Sequence, residues 1–296
     1  MSMENFKQKY GEWALVVGAS TGLGAAWAEE CAKRGSNVVI CARRLEKLQE
    51  VSASLRERYG IQTKEFVVDI SHEDAAQTIV DNIEGLDIGV CVYNAAIEHV
   101  GFFIKVAEER HKEQLVGNAQ VPMELCWHLC RDMARKHRGL ILLCSSMAGT
   151  VGCGNNAVYG GVKSFELILA KGLWYEMRKY GVDVAGVTVG AIATPEFARV
   201  QEEQAKAAAE RGEKYKPAKA TTPADAAAYV MERAGKGPHL FTSRGDATLD
   251  KLMHILPLKT AVTMMGGAMD KNFSQGYDLL DDEFTEIARQ RGKGAR

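Results

Sequence analysis

The sequence predicts an α/β protein: a doubly wound parallel sheet with helices on both faces, built as a single domain. Three observations carry that expectation. Short apolar runs alternate with helical segments, the pattern that parallel crossover connections require. The first apolar run ends in a glycine-rich turn that opens a helix. No repeat, low-complexity block or linker divides the 296 residues.

In chain order, Trp13 to Val17 is an apolar run that reads as a buried strand ending at Gly18. Ala25 to Arg34 reads as a helix stopped by Gly35. Val38 to Cys41 is a second strand, Leu45 to Tyr59 a second helix and Glu65 to Val68 a third strand. The pattern repeats with strand Val90 to Tyr93, a long helical stretch around Val106 to His137, and strand Leu140 to Cys144. Helix Tyr159 to Tyr180 and strand Val182 to Val189 follow.

After Thr194-Pro195 the character changes. Residues 196–220 are rich in Ala, Glu and Lys and read as exposed helix with loop, either a lid over substrate or a solvated surface helix. Thr222 caps a further helix with Pro223 at its first position. His239 to Thr242 is a last strand. The Met-rich segment 252–269 is suited to a subunit interface, a pocket wall or a membrane carrying a lipid substrate, and interface or pocket is favoured. Residues 1–270 are therefore expected as one domain with a lid at about 196–220, and 271–296 as a charged C-terminal tail.

Composition limits the function classes. A formal net charge of −1 gives no global field for nucleic acid or an anionic membrane. The polar start lacks a signal segment, and no apolar stretch approaches the ~20 residues of a membrane span, so a cytoplasmic protein is expected. The seven cysteines contain no CxxC pair and several sit in strand-like runs, which favours buried reduced thiols. Cys126 and Cys130 are one helical turn apart, but no histidine pair completes a zinc set, so no metal is expected.

The turn Gly18-Ala19-Ser20-Thr21-Gly22-Leu23-Gly24 joins the first strand to the first helix. Its glycines permit a tight turn and close approach of backbone to a pyrophosphate, over free N–H groups at the helix start. At the end of the second strand a carboxylate would bind a ribose 2′-hydroxyl, whereas this chain has Arg43 and Arg44. Cations there suit a 2′-phosphate, so NADP(H) is favoured over NAD(H). The alternative is two solvated arginines at a helix start.

Tyr159 and Lys163 are four residues apart on one helix face, and Ser146 follows an apolar strand. A free phenol titrates near ~10. A neighbouring ammonium, and the positive ring of an oxidised nicotinamide, would lower that value toward the working range. Tyr159 would then exchange a proton with a carbonyl oxygen as hydride reaches or leaves the carbon, and Ser146 would hold that oxygen by a hydrogen bond. Taken alone, such a Tyr–Lys spacing also arises by chance, and Ser146 could merely cap the next element.

Together these residues resemble the short-chain dehydrogenase/reductase family, over about Trp13 to Pro195, with its Rossmann-type fold. Gly18, Gly22 and Gly24 match its cofactor turn, and Asp69-Ile70 its contact to adenine. Asn94-Ala95-Ala96 matches a motif that stabilises the sheet and lines the cofactor. The resemblance implies that Asn118 positions a relay water and that Ser146, Tyr159 and Lys163 are the catalytic trio, with Lys163 also on the nicotinamide ribose. It also implies that Ile192 and Thr194 touch the carboxamide. Three departures occur: Tyr93-Asn94-Ala95-Ala96 stands for Asn-Asn-Ala-Gly, Val189-Gly190 for Pro-Gly, and Ser20-Thr21 puts no basic residue in the turn.

Lys9-Tyr10-Gly11-Glu12-Trp13, with Arg34-Gly35-Ser36-Asn37 and Tyr59-Gly60, is similar to the hydroxysteroid dehydrogenase and long-chain 3-oxoacyl reductase branch. The resemblance implies an NADP(H)-dependent oxidoreductase interconverting a secondary alcohol and a ketone on a bulky apolar substrate, steroid- or bile-acid-like. The rival activity is reduction of a 3-oxoacyl thioester, and the rival class is a dinucleotide-binding regulator without turnover. A homodimer or homotetramer is expected. Phe102, Phe103, Met147, Val151 and Phe197 are candidates for apolar wall or for ordinary core.

Overall fold

The structure, a computed structural model, describes residues 3–272 apart from 211, 213 and 216. Its first half runs α1 (Met3–Tyr10), β1 (Trp13–Val17), α2 (Gly22–Lys33), β2 (Asn37–Ala42), α3 (Leu45–Tyr59), β3 (Thr63–Val67), α4 (Ala75–Ile83) and β4 (Ile88–Tyr93). Next come α5 (Glu108–Leu115), α6 (Val121–Lys136), β5 (Gly139–Ser146), α7 (Ala148–Val151), α8 (Ala157–Met177) and β6 (Val182–Val189). The chain continues through α9 (Pro195–Glu210), α10 (Pro223–Met231), β7 (His239–Phe241), α11 (Arg244–Ile255) and α12 (Leu258–Asn272).

The seven strands form one sheet in the order β3-β2-β1-β4-β5-β6-β7, with every neighbouring pair parallel. This is the doubly wound Rossmann-type α/β fold that the alternating pattern predicts. Strand residues feed the two sheet faces alternately. Ala14 and Val16 enter the core under α2 and α10, whereas Leu15 and Val17 enter the core under α4 and α6. Both faces are covered, which is why β1 is apolar throughout instead of alternating. The chain reverses direction across the sheet between β1 and β4, and such a switch point opens a ligand crevice beyond the strand C-termini.

Several helices, α1 and α4 among them, had no counterpart in the sequence reading. α1 is short and polar in mean character, but Phe6 and Tyr10 are one turn apart and both buried, with ring centroids 5.0 Å apart. Tyr10 donates to Asp183 at 2.9 Å, which ties α1 to β6. α4 buries Ala75, Ala76, Ile79 and Ile83 on one face.

The expected long helix around Val106 to His137 is two helices, α5 and α6, joined by a π-helical stretch at Val116–Gln120. The interruption has a tertiary cause. The Gly117 carbonyl accepts from Tyr93 Oη at 2.5 Å, and a Cβ at Gly117 would lie 2.6 Å from Ile97 Cδ1. The helix is thus drawn onto the loop after β4 at this point. Other boundaries shift by a few residues: β3 begins at Thr63 and stops before Val68, and α8 begins at Ala157 and gives way to a 3-10 turn at Arg178.

Beyond β6 the chain leaves and returns at one place. Ala193 N donates to Thr221 O and Thr221 N to Ala191 O, both at 2.9 Å, so α9 lies on an excursion stitched at its base. Ser243 caps α11 by accepting from Asp246 N at 3.1 Å, and Thr222 caps α10 as its sequence predicts. The Met-rich α12 packs against α7, α9 and α11. Its Asp270 accepts from Asn155 Nδ2 at 2.5 Å.

Candidate active site

Three glycines shape the turn after β1, each for a steric reason. Gly18 has φ +86°, and a Cβ there would lie 2.7 Å from the Ala95 backbone. A Cβ at Gly24 would lie 1.9 Å from the Gly18 carbonyl oxygen, so only glycine lets α2 start this close to the turn. At Gly22, φ is +58° and the nearest neighbour of a Cβ would be Thr194 Cγ2 at 3.3 Å. Leu23 points into the core at 8% exposure, so only its backbone belongs to the turn.

Asn94 fixes the turn from the neighbouring strand. Its Nδ2 donates to Gly18 O at 3.3 Å, its Oδ1 accepts from Trp27 Nε1 at 3.2 Å, and its main-chain N–H, like that of Ala95, donates to Val17 O. Trp27 is fully buried and was not expected near the site. The cleft beside the turn holds about 300 Å³ and is lined by Ser20, Thr21, Arg43, Arg44, Asp69 and Ile70 among others. Arg44 Nη2 donates to Ser20 Oγ at 3.2 Å and Thr21 Oγ1 at 3.3 Å, which puts a guanidinium in the lining of that cleft. Asp69 also lines it, accepting from Ser71 N at 3.0 Å and Ser71 Oγ at 2.9 Å. Burial opposes ionisation of Asp69, but the Ser71 hydrogen bonds and the nearby Arg43 charge outweigh it and hold its carboxyl below the usual range.

Ser146 ends β5, and Tyr159 and Lys163 sit on the first turns of α8. α7 lies directly on those turns. A Cβ at Gly149 would come 2.7 Å from the Lys163 carbonyl carbon, and one at Gly160 would come 2.9 Å from Ala148 O. The Ser145-Ser146 pair divides its work: Ser145 Oγ donates to Lys163 O at 2.6 Å and fastens α8 to β5, while Ser146 faces the phenol. The Ser146 hydroxyl stands by the Tyr159 phenol and favours its ionised form, and Ser146 Oγ accepts from Ala148 N at 3.2 Å. Lys163 Nζ lies 5.7 Å from the centre of the Tyr159 ring and donates to Cys144 O at 2.8 Å.

Asn118 is fully buried, and both ends of its amide are engaged. Oδ1 accepts from Ile97 N at 3.0 Å and Nδ2 donates to Ile97 O at 2.7 Å. Its side chain holds the loop after β4 in place. Ile192 forms an isolated bridge to Thr221, and two residues on Thr194 Oγ1 accepts from Phe197 N at 3.2 Å to start α9. Phe102 and Phe103 are 57% and 59% exposed, so they are not core.

The electrostatics differ from the sequence expectation. A lowered phenol was expected from the Lys163 charge, whereas without cofactor Tyr159 is pushed well above its ordinary value. Burial is the main cause, followed by the charges of Glu98 and Glu166; the Ser146 hydroxyl works in the opposite direction. Glu98, on the loop after β4, accepts from Asn156 Nδ2. Glu166 bonds Lys163 Nζ through both carboxylate oxygens, at 3.0 and 2.9 Å. Glu166 was legible in principle, since position 166 falls on the face of 159 and 163. Nothing local marks Glu98, which reaches the site only through the fold.

Residues 12–205 match the family described as short chain dehydrogenase. The chain is 36% identical over 191 residues to the 7beta-hydroxysteroid dehydrogenase of Collinsella aerofaciens, covering 64% of this chain and 73% of that protein. It is 30% identical over 198 residues to the very-long-chain 3-oxoacyl-CoA reductase of Mus musculus, covering 65% of this chain and 63% of the mouse protein. A solved structure described under 7beta-hydroxysteroid dehydrogenase stereoselectivity superposes with a TM-score of 0.81 at 29% identity, over 90% of this chain and 99% of its own.

Proposed function

This chain belongs to the short-chain dehydrogenase family and is an oxidoreductase; from that premise we propose that it interconverts a secondary alcohol and a ketone on a hydroxysteroid- or bile-acid-like substrate with NADP(H). The observation that carries the reading is the placement of Ser146, Tyr159 and Lys163 at the C-terminal edge of the sheet that also bears the glycine turn. The turn fits a dinucleotide because every Cβ that would fill the cradle at Gly18 or Gly24 is excluded by backbone. Gly18, Ser20, Thr21, Gly22, Leu23 and Gly24 would hold the pyrophosphate through backbone and hydroxyls. Arg43 and Arg44 would take the 2′-phosphate, and Asp69 and Ile70 the adenine. Asn94, Ala95, Ile192 and Thr194 would flank the nicotinamide end.

When bound, the nicotinamide supplies or accepts the hydride. Ser146 holds the substrate oxygen near Tyr159. In reduction Tyr159 Oη gives its proton to that oxygen; in oxidation it takes the proton back. Lys163 keeps positive charge beside the phenol, 5.7 Å from the ring centre, and reaches the ribose only by turning one of its three donors from Glu166 or Cys144. Asn118 shapes the floor by clamping Ile97. Residues 196–220 act as a lid hinged where residues 191–193 pair with Thr221, and α12 lies across from it. Residues 1–270 form the catalytic domain; most of the tail at 271–296 lies outside the described residues.

α6 and α8 pack side by side, and Met123, Trp127, Phe165, Ile168 and Tyr175 on these helices are all exposed. Such a face supports a homodimer or homotetramer. Seven buried, unbridged cysteines fit the cytoplasm, and no described helix is long and apolar enough to cross a membrane.

NADPH oxidation measured over a panel of oxo-steroids, oxo-bile acids, 3-oxoacyl thioesters and small ketones tests the substrate class. Turnover confined to thioesters overturns the steroid reading and favours the activity named for the mouse relative. Tyr159→Phe should abolish turnover while leaving NADPH binding intact; an active variant refutes the acid–base role.

A further inference from the structure

The buried face of α8 carries an ionisable residue beyond the tyrosine and the lysine. Tyr159, Lys163 and Glu166 follow one another at spacings of four and three, along one side of the helix. Glu166 is fully buried and Lys163 is 1% exposed. The Lys163 ammonium has three donors, and its contacts are the two Glu166 oxygens and the Cys144 carbonyl. The lysine is therefore not the free cation that a Tyr–Lys pair suggests. Its charge is met by a carboxylate on the side away from solvent.

We propose that Glu166 is a positioning residue for proton transfer, holding the Lys163 ammonium against β5 and offsetting its charge so that Tyr159 faces an ion pair. The proposal rests on the reading of Tyr159 and Lys163 as the proton-transfer pair. Its consequence is a less acidic phenol than Lys163 alone would make.

The surroundings leave few other actors. Glu166 is faced by Tyr93 from β4, Cys126 from α6, Cys144 from β5, and Tyr159 and Lys163 from α8. Burial pushes Tyr93 and Cys126 well above their ordinary values and Cys144 up to about 12, so these three stay neutral in the working range. Glu98, an exposed residue, faces Tyr159 and Lys163 from the loop after β4, and desolvation of its carboxyl there raises it. Burial pushes Glu166 up to about 7, against the pull of Lys163. A Glu166 that takes a proton leaves Lys163 acting on Tyr159 uncompensated, and one that loses it restores the offset.

The test reads Tyr159 itself. The ultraviolet phenolate absorbance of each protein, with saturating NADP+ and minus that of its Tyr159→Phe counterpart, gives the midpoint of this one tyrosine as pH is raised. Glu166→Gln should lower the midpoint by about one pH unit, a roughly tenfold gain in phenolate below the midpoint. Glu166→Asp keeps the charge and should restore the wild-type midpoint. Lys163→Met, which leaves the carboxylate alone, should raise it. Lys163→Met/Glu166→Leu should return close to wild type, and replacing both partners avoids a stranded buried charge if Glu166→Gln does not fold. Coincident midpoints for Glu166→Gln and wild type overturn the proposal, as does a double variant that titrates like Lys163→Met. The turnover of Tyr159→Phe keeps the two ideas apart. If it is fully active, the proton-transfer reading fails; if it is dead while Glu166→Gln shifts nothing, only the role of Glu166 fails.

Discussion

Removing the guanidinium of Arg44 should cost this protein its preference for NADPH over NADH. Arg44 Nη2 sits 3.2 Å from Ser20 Oγ and 3.3 Å from Thr21 Oγ1, long distances for hydrogen bonds. The guanidinium therefore gives up little when it turns to a phosphate in the same cleft. A charge-assisted bond to phosphate contributes about 1.5–3 kcal/mol. Arg44 is exposed, which holds its share near the low end, about 1.5 kcal/mol. That is roughly a tenfold weaker Kd for NADPH. NADH has no 2′-phosphate, and its Kd should barely move. Arg43 is also exposed and its field falls partly on Asp69, so Arg43→Ala should act in the same sense with a smaller effect. The double variant should lose roughly thirtyfold to a hundredfold if the two act independently. Fluorescence titration of both reduced cofactors measures the ratio directly, and added salt should shrink it. Parallel losses for NADPH and NADH would refute the assignment of these arginines to the 2′-phosphate.

Two further outcomes follow from contacts of the site. Gly24→Ala drives a methyl to 1.9 Å from the Gly18 carbonyl, against backbone that cannot rotate away; stability should fall by on the order of 1–3 kcal/mol and NADPH binding should be lost, so a stable variant with unchanged affinity would contradict the geometry. Asn118→Ala strands the N–H and carbonyl of Ile97, about 1–3 kcal/mol for each group left unsatisfied; an unchanged denaturation midpoint would show that the clamp is dispensable.

The parts of this molecule legible in the sequence are those set by local pattern. Continuous apolar strands such as Val182 to Val189, and helix stops such as Gly60 with φ +64°, declare themselves without tertiary information. The glycine turn and the Tyr159–Lys163 spacing belong to the same class. Where tertiary contacts decide the outcome, the sequence is silent or misleading. The break at Val116–Gln120 comes from Tyr93 and Ile97, which lie far back in the chain. α1 was hidden because, among its described side chains, Phe6 and Tyr10 carry its packing. The elevated phenol at Tyr159 reflects its own burial first and the charges of Glu98 and Glu166 after it, and the sign of such a sum cannot be read from one favourable neighbour.

The approach of Thr194 to Gly22 has a kinetic reach. A Cβ at Gly22 would stand only 3.3 Å from the Thr194 methyl, and the same residue, through its hydroxyl, opens the helix that carries the excursion to 220. If residues 196–220 act as the proposed lid, a dinucleotide seated on the turn would touch its root. Turnover should therefore display a compulsory sequence, with the dinucleotide entering before the alcohol or ketone and departing after it.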